Sequence, residues 1–411
     1  MKLARIALRN LARNRRRTLL SLLVIAAGSA ALVLTAGFVR FSFAGLEDAI
    51  VRGGLGHLEV LPADMAGAAL TERGQRPALD GWTEIRRTIE EVPGVRGAGA
   101  VVHLAGVVSK GDRSIPFLGV AVEPDRERRM RFELKLRGGE DLPAEAPAEG
   151  EDRVLLGLGL ASALGAAPGD VVTALVVTTG GTLNAVDLAV AGVVTTGLQD
   201  LDARLLKMHL ASAERLLETP RVSSLVVGLE DGGATDALRA RIAERLAAVR
   251  PPLAVLDWRT RAPFYRQVRG LYSGIFVFLG AIVFVMVCLS TSNTLLMSVM
   301  ERMREIGTLL ALGTSRLRVG LLVVLEALWL GLLGGLLGDV VGVGLAAALG
   351  ASGIRMPPPP GAVDPIPIAL DVRPLDLVGT VGLMLVVLAA AAAVPVVRTA
   401  RLRIVEALGH V

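Results

Sequence analysis

The chain has 411 residues, of which 52% are hydrophobic, and a mean hydropathy of +0.57, too apolar for an ordinary soluble domain. Its net charge of +5 raises nucleic acid as a partner. However, the basic residues cluster beside apolar runs, as cytoplasmic membrane flanks do, and no basic face is interleaved with aromatics, so that partner is excluded.

The chain opens on a basic segment, residues 1–17. There Arg5, Arg9 and Arg13 recur every four residues, while Leu3, Ile6, Ala7 and Leu11 fall on another face. The pattern fits a helix lying at a membrane surface, and equally a basic flank that sets topology. Thr18–Val39 follows, 22 residues without a charge, long enough for a helix to cross about 30 Å of hydrocarbon. We set this first span at 18–41. Arg15, Arg16 and Arg17 ahead of it hint at a twin-arginine signal, but the apolar core exceeds the roughly 7–15 residues of a cleaved signal. An uncleaved anchor is expected.

Residues 42–270 form a large insert. "HLEVL", "VVHLAGVVSK", "RSIPFLGV", "DVVTALVV", "VDLAVAGVV" and "VSSLVVGL" read as strands bounded by Gly, Pro and Asp. "WTEIRRTIEEV", "ASAERLLE" and "TDALRARIAERLAAV" read as helices. Mixed order with short connections predicts an α+β fold of one domain or two subdomains. The acidic "GGEDLPAEAPAEGED" at 138–152 is the expected dividing connection.

Three further spans follow: 271–300, with no charge; 318–353, apolar from Val319 onward except for Glu326 and Asp339; and 377–397, again uncharged. Between the first two lies a short charged segment, 301–317. The loop 354–376 includes Pro357 to Pro360, an extended spacer, and residues 398–411 form a basic tail. Residues 1–17, the 301–317 segment (Arg302, Arg304, Arg316) and the tail (Arg398, Arg401, Arg403) are basic, whereas Asp364, Asp371 and Asp376 outnumber Arg355 and Arg373 in the loop. This asymmetry places both termini in the cytoplasm and the insert outside it.

Within the charged segment, Met303, Ile306, Leu310 and Gly313 repeat at helical spacing, and Glu301, Arg302, Arg304, Glu305 and Thr308 lie elsewhere around the wheel. Gly313 is a natural helix stop, with Thr314 or Ser315 able to cap the next helix. A short amphipathic helix fixed to a span at each end suits mechanical coupling to a cytoplasmic partner, and a plain connector fits as well. In the third span, Gly331/Gly335, Gly334/Gly338 and Gly338/Gly342 are small-xxx-small pairs that allow close helix packing, within the chain or across a dimer. Glu326 and Asp339 are intramembrane acids and functional candidates, with helix contact as the plainer account. Ser290, Thr291, Ser292 and Asn293 are read as hydrogen-bonding within the membrane. Cys288, the single cysteine, lies in an apolar run and cannot form an intrachain disulfide. No Cys/His cluster has metal-ligand spacing. His57, His103, His209 and His410 are scattered, and no catalytic residues are assigned.

"SNTLLMSVMERMREIGTLLALGTSRLRV" resembles the signature of the MacB/FtsX-like permeases of ABC transporters. "LLGGLLGDVVGVGLAAALG" is similar to that family's glycine-rich third span, and "VPVVRTARLRIVEALGHV" to its closing segment. "ALRNLARNRRRTLLSLLVIAAGSA" resembles its opening helix and first span. In the insert, "HLEVL", "LLGLGLASALGAAPGD" and "TTGLQDLDARLLKMHL" resemble its periplasmic core. The resemblance implies four transmembrane helices with a MacB-type core domain between the first two, in a bacterial cytoplasmic membrane. It also implies that Glu301, Arg304, Glu305, Ile306 and Leu310 to Gly313 (Ala311 and Leu312 included) dock on an ATPase subunit. ATP and Mg would be bound by that partner, with no cofactor in this chain. No GxxxxGK[ST] phosphate loop occurs, and only 17 residues precede the first span, so a separate motor chain is expected. Further expected partners are a second permease chain (a copy or a related paralogue), membrane lipids, and a periplasmic adaptor or a lipoprotein carrier. The expected function is mechanotransmission acting on lipoprotein, lipid, peptide or amphipathic cargo. Lipoprotein release is placed ahead of MacB-like efflux, and FtsX-like control of a cell-wall hydrolase is the alternative.

Overall fold

The computed structural model describes residues 2–13, 15–67, 77–132, 134–357, 363 and 365–400. The prolines after Pro357, Asp364, and the closing segment from residue 401, with Arg401, Arg403 and His410, lie outside the described residues. The chain forms two compact units: Met1–Ala44, Val268–Met356 and Pro367–Val411; and Gly45–Gln267 with Pro357–Ile366.

The first unit is helical. Its elements are α1 (Lys2–Arg13), α2 (Arg15–Ile50), α3 (Pro263–Glu301), α4 (Met303–Ala311), α5 (Arg316–Ala351), α6 (Pro374–Ala391) and α7 (Ala393–Ala400). Four helical segments are long and apolar enough to cross a membrane, the last one running through α6 into α7. The helices α2 and α3 outrun the spans 18–41 and 271–300, whereas α5 matches the length of 318–353 but sits two residues earlier. Hydropathy marks only the stretch that suits hydrocarbon, whereas strong helix formers in the flanks let the backbone continue. With 36 residues, α5 is about 54 Å long, well beyond the hydrocarbon it must cross. The fourth span is broken at Ala392, between α6 and α7. Pro395 accounts for the break, since it lacks an N–H and its ring crowds the carbonyl of Ala391, four residues back.

The glycines of α5 serve two neighbours. Gly334, Gly338 and Gly342 face α2: a Cβ at Gly338 would lie 2.5 Å from both the Ala26 carbonyl oxygen and the Ser29 Cβ, and one at Gly334 would lie 2.6 Å from Ile25. Gly331 and Gly335 face α6 at Met384, Leu388 and Val381. Removing side chains on these two faces brings three helices close, which gains dispersion contacts where no hydrophobic drive exists between helices in lipid.

The second unit is α+β. Its strands are β1 (Leu58–Pro62), β2 (Val95–Lys110), β3 (Arg113–Val122), β4 (Lys135–Gly139), β5 (Arg153–Gly157), β6 (Val171–Val177), β7 (Leu183–Thr195), β8 (Leu205–His209), β9 (Ser224–Leu229) and β10 (Leu253–Asp257). Six of them close into a ring: β2 pairs with β3, β3 with β8, β8 with β5, β5 with β7, β7 with β6, and β6 with β2. The 16-residue β2 is long enough to serve both halves. Val95–Val101 pairs with β9, which leads on to β1 and β10, whereas Gly106–Ser109 pairs with β6. In β6 burial alternates strictly, so Val172, Ala174 and Val176 point inward, as a half-buried strand requires. The helices Trp82–Glu90, Leu210–Leu217 and Thr235–Leu246 contribute Ile85, Ile89, Leu216, Leu238 and Ile242 to the same core. Residues 138–152, expected to divide two subdomains, connect β4 to β5 within this single unit. Glu59 is fully buried, accepting from Ser224 Oγ at 2.6 Å and paired with Arg261 at 2.7 Å. This arrangement satisfies a carboxylate that would be costly to bury alone.

Candidate functional site

The charged stretch between α3 and α5 folds as the short helix α4. Gly313 ends it at φ +90, a left-handed conformation that glycine adopts without a Cβ penalty. The Gly313 and Thr314 amides return to the Leu310 and Leu309 carbonyls at 3.1 and 3.0 Å, closing the turn. Ser315 takes the N-cap position of α5, but its side chain makes no capping hydrogen bond. Its carbonyl instead accepts from the Arg318 and Val319 amides.

The apolar face of α4 turns into its own chain. Met303, Ile306 and Leu310 are buried, and Ile306 and Leu310 pack with Val299, Val319 and Val323. Ile306 and Leu310, expected among the docking positions, therefore seat α4 on α3 and α5. Arg304, Ala311, Leu312 and Gly313 are exposed, as are Thr308 and Leu309. Leu312 is 79% exposed and Leu317, at the start of α5, is 86% exposed. Glu301 pairs with Arg17 at 2.8 Å, and Glu305 with Arg13 at 2.9 Å and Arg302 at 3.1 Å. Exposed pairs of this kind contribute about 0–1 kcal/mol each.

The stronger anchor is Arg302, immediately ahead of α4. Its Nη1 lies 2.8 Å from Glu326 Oε1 on α5, and Asn10 Nδ2 on α1 donates to the same oxygen at 2.6 Å. Glu326 is buried, so breaking this pair by removing one partner leaves a stranded charge at a cost of about 3–5 kcal/mol. Burial works against the Arg302 charge, but Glu326 and Glu305 outweigh it and raise its pKa. Glu305 is held below the usual carboxylate range: partial burial opposes this, and the Arg302 and Arg13 hydrogen bonds prevail. Trp329 Nε1 on α5 also donates to the Ala4 carbonyl at 3.2 Å, fixing α1 alongside.

Sequence spacing placed Arg302 only on the polar side of the wheel, without its role as an anchor, and did not single out Asn10, Leu309 or Leu317. The only signal for the first was a basic residue at one membrane flank and an acid within the next span, 24 residues apart in sequence.

Asp339, the second intramembrane acid, accepts from Thr380 Oγ1 at 2.8 Å and Ser29 Oγ at 3.1 Å, tying α5 to α6 and α2. At the other end of α2, Arg40 is bound by Asp376 on α6. Cys288 is half-buried, with Sγ 3.6 Å from the Val387 carbonyl. Among the described residues, no three His, Cys, Asp or Glu side chains group as metal ligands would.

Residues 18–245 match the MacB-like periplasmic core domain family, and residues 275–404 match the FtsX-like permease C-terminal family. Among curated proteins, the chain is 28% identical over 273 residues to the lipoprotein-releasing system transmembrane protein LolC of Neisseria meningitidis, covering 64% of each chain. It is 34% identical over 103 residues to the uncharacterised ABC transporter permease MJ1507 of Methanocaldococcus jannaschii, covering 25% of this chain and 26% of that one. The matched stretches thus span less than two thirds of either relative. Among solved structures, the extracellular domain of the noncanonic ABC-type transporter YknZ from Gram-positive bacteria aligns over 49% of this chain and 98% of its own, with 15% identity and a TM-score of 0.35. The periplasmic region of MacB from Actinobacillus actinomycetemcomitans aligns over 52% and 94%, with 14% identity and a TM-score of 0.37.

Proposed function

Because this chain belongs to the permease family that joins a MacB-like periplasmic core to an FtsX-like C-terminal region, we propose that it is the membrane subunit of an ATP-driven ABC transporter. Members of the family work with ATPase subunits. Here the ATPase is a separate chain that binds ATP and Mg, and this chain supplies no catalytic residue. The transporter sits in the bacterial cytoplasmic membrane, with both termini and α4 inside and the α+β insert in the periplasm.

The single observation that carries this reading is α4, seated by Ile306 and Leu310 and presenting Arg304, Leu309 and Leu312 outward, with Leu317 also exposed at the start of α5. A short helix fixed to two long ones cannot be pushed without moving both, and exposed leucines among charged residues are a surface suited to a protein partner. ATP-driven closure of the ATPase subunits then tilts α3 and α5 and rearranges the insert, without drawing cargo through a polar channel. Lipoprotein or another amphipathic molecule taken from the outer leaflet is the favoured cargo, supported by the likeness to LolC. The exposed apolar face of α3, with Val277, Phe278 and Leu289, is left for lipid or a second permease chain.

The test is recovery of a co-expressed ATPase subunit with the purified chain. Leu312→Asp combined with Leu317→Asp is expected to reduce recovery at least about tenfold, the loss of two exposed anchors in a protein interface, while the thermal unfolding midpoint stays unchanged. Undiminished recovery overturns the reading. Mass spectrometry of the same preparation separates cargo or a carrier from a cell-wall hydrolase.

A further inference from the structure

We propose that α1 binds the anionic headgroups of the cytoplasmic leaflet, and that the Asn10–Glu326–Arg302 network makes the placement of α4 depend on that binding. The proposal rests on the orientation given above, with α1 and α4 on the cytoplasmic side.

One face of α1 is turned into the protein: Ala7 is fully buried and Leu3, Ala4, Asn10 and Leu11 are half-buried. The opposite face exposes Arg5, Arg9 and Arg13 together with Ile6 at 48% and Leu8 at 41%. Ile6, grouped by its spacing with Leu3, Ala7 and Leu11, is exposed where those three are at least half-buried. A helix bathed in water has no use for exposed Ile and Leu, and one in hydrocarbon cannot carry three arginines. A mixed basic and apolar face suits the boundary between them. No acid occurs in residues 1–17, and Arg5 and Arg9 make no ion pair among the described residues, so their charge complements a negative surface.

The depth of α1 agrees. It meets α5 at Glu326 and Trp329. From Glu326 to the end of α5 at Ala351 the helix rises about 38 Å, more than the roughly 30 Å of hydrocarbon. That length allows the contact to lie at the boundary between hydrocarbon and headgroups, the level at which indole rings collect.

The connection to α4 is direct. Asn10 and Arg302 share one atom, Glu326 Oε1, and Arg13 of α1 pairs with Glu305 of α4. Drawing α1 towards the leaflet fixes Asn10, which fixes the carboxylate that holds Arg302, the residue leading into α4.

Hydrogen exchange on the full chain tests this in nanodiscs of phosphatidylcholine alone and of phosphatidylcholine with about one quarter phosphatidylglycerol. With phosphatidylglycerol, amides of residues 2–13 are expected to exchange about tenfold more slowly, from the arginine contributions at an anionic surface. Amides of residues 303–311 should slow with them, and raised salt should remove both effects. Arg5→Gln with Arg9→Gln is expected to abolish both responses. Asn10→Ala with Arg13→Gln, which removes the Asn10 hydrogen bond and the Arg13–Glu305 pair but leaves Arg5 and Arg9, should keep the response of α1 and lose that of α4. Equal exchange in the two bilayers overturns the proposal. A lipid response that survives in Arg5→Gln with Arg9→Gln overturns the assigned surface, and an α4 response that survives Asn10→Ala with Arg13→Gln overturns the connection. Labelling of α4 from the periplasmic side would instead remove the orientation, and with it the proposed function.

Discussion

At the residue scale, the polar side chains divide by what satisfies them. Glu59, Glu326 and Asp339 are all buried acids. The first two each have an arginine at 2.7 or 2.8 Å, and Asp339 has two hydroxyl donors. The histidines follow a different logic. His57 Nδ1 accepts from the Leu229 amide at 3.2 Å and His209 Nδ1 accepts from the Ala211 amide at 3.1 Å, so protonation at that nitrogen removes a backbone hydrogen bond. Burial pushes both below the ordinary value of 6.5. The stability each contributes is therefore complete above that value and is lost as pH falls through the depressed one. Thermal unfolding of the insert is expected at progressively lower temperature as pH drops below about 6.5. His209→Asn, which keeps an N-cap acceptor without a titrating ring, is expected to flatten that decline. An unaltered slope in the variant refutes the assignment. These histidines were visible as isolated residues, but the amides they accept from were not. His57 lies 172 residues from Leu229 in sequence, a separation that no local pattern reports. The same holds for Asn10 and Glu326, 316 residues apart.

At the scale of elements, apolar runs of sufficient length marked the four spans because the bilayer sets a length that composition alone must meet. Where each helix ends was less legible: α2 and α3 run on past their apolar stretches, α5 stops two residues short of its own, and Pro395 cuts the fourth. The wheel of α4 grouped Met303, Ile306 and Leu310 as the structure does, but Gly313, counted with them, is exposed, and which face meets the chain's own core depended on Val299, Val319 and Val323 from both neighbouring helices. The α5 glycines were readable as small-residue pairs, whereas their division between α2 and α6 was not. Gly338→Ala tests that division. Its new Cβ meets backbone at Ala26 as well as Ser29, so neither neighbour is a flexible tip that can swing away. A loss of roughly 1–3 kcal/mol from overpacking is expected in detergent unfolding. Gly350→Ala near the end of the same helix, where no atom lies within 4 Å of the new Cβ, should be neutral or stabilising. Equal behaviour of the two variants contradicts the close approach.

At the scale of the whole molecule, charge asymmetry around the spans predicts sidedness, and single cysteines in a Cys288→Ser background measure it. A cysteine at Thr308 on α4 is expected to react only with reagent admitted from the cytoplasmic face, and one at Asp187 on β7 only from the other face. The reverse pattern contradicts the assigned orientation. Strand composition announced an α+β insert, but ring closure could not be read, since register is set by partners from distant sequence. One detail of the insert concerns where its sheet is entered and left. Leu58, which opens β1, is paired with Asp257, which closes β10, and facing residues in an antiparallel pair are about 4.5–5.5 Å apart at Cα. The sheet of the insert is thus entered and left at one rung of a ladder, so the backbone leading into β1 and the backbone leaving β10 set out from neighbouring points.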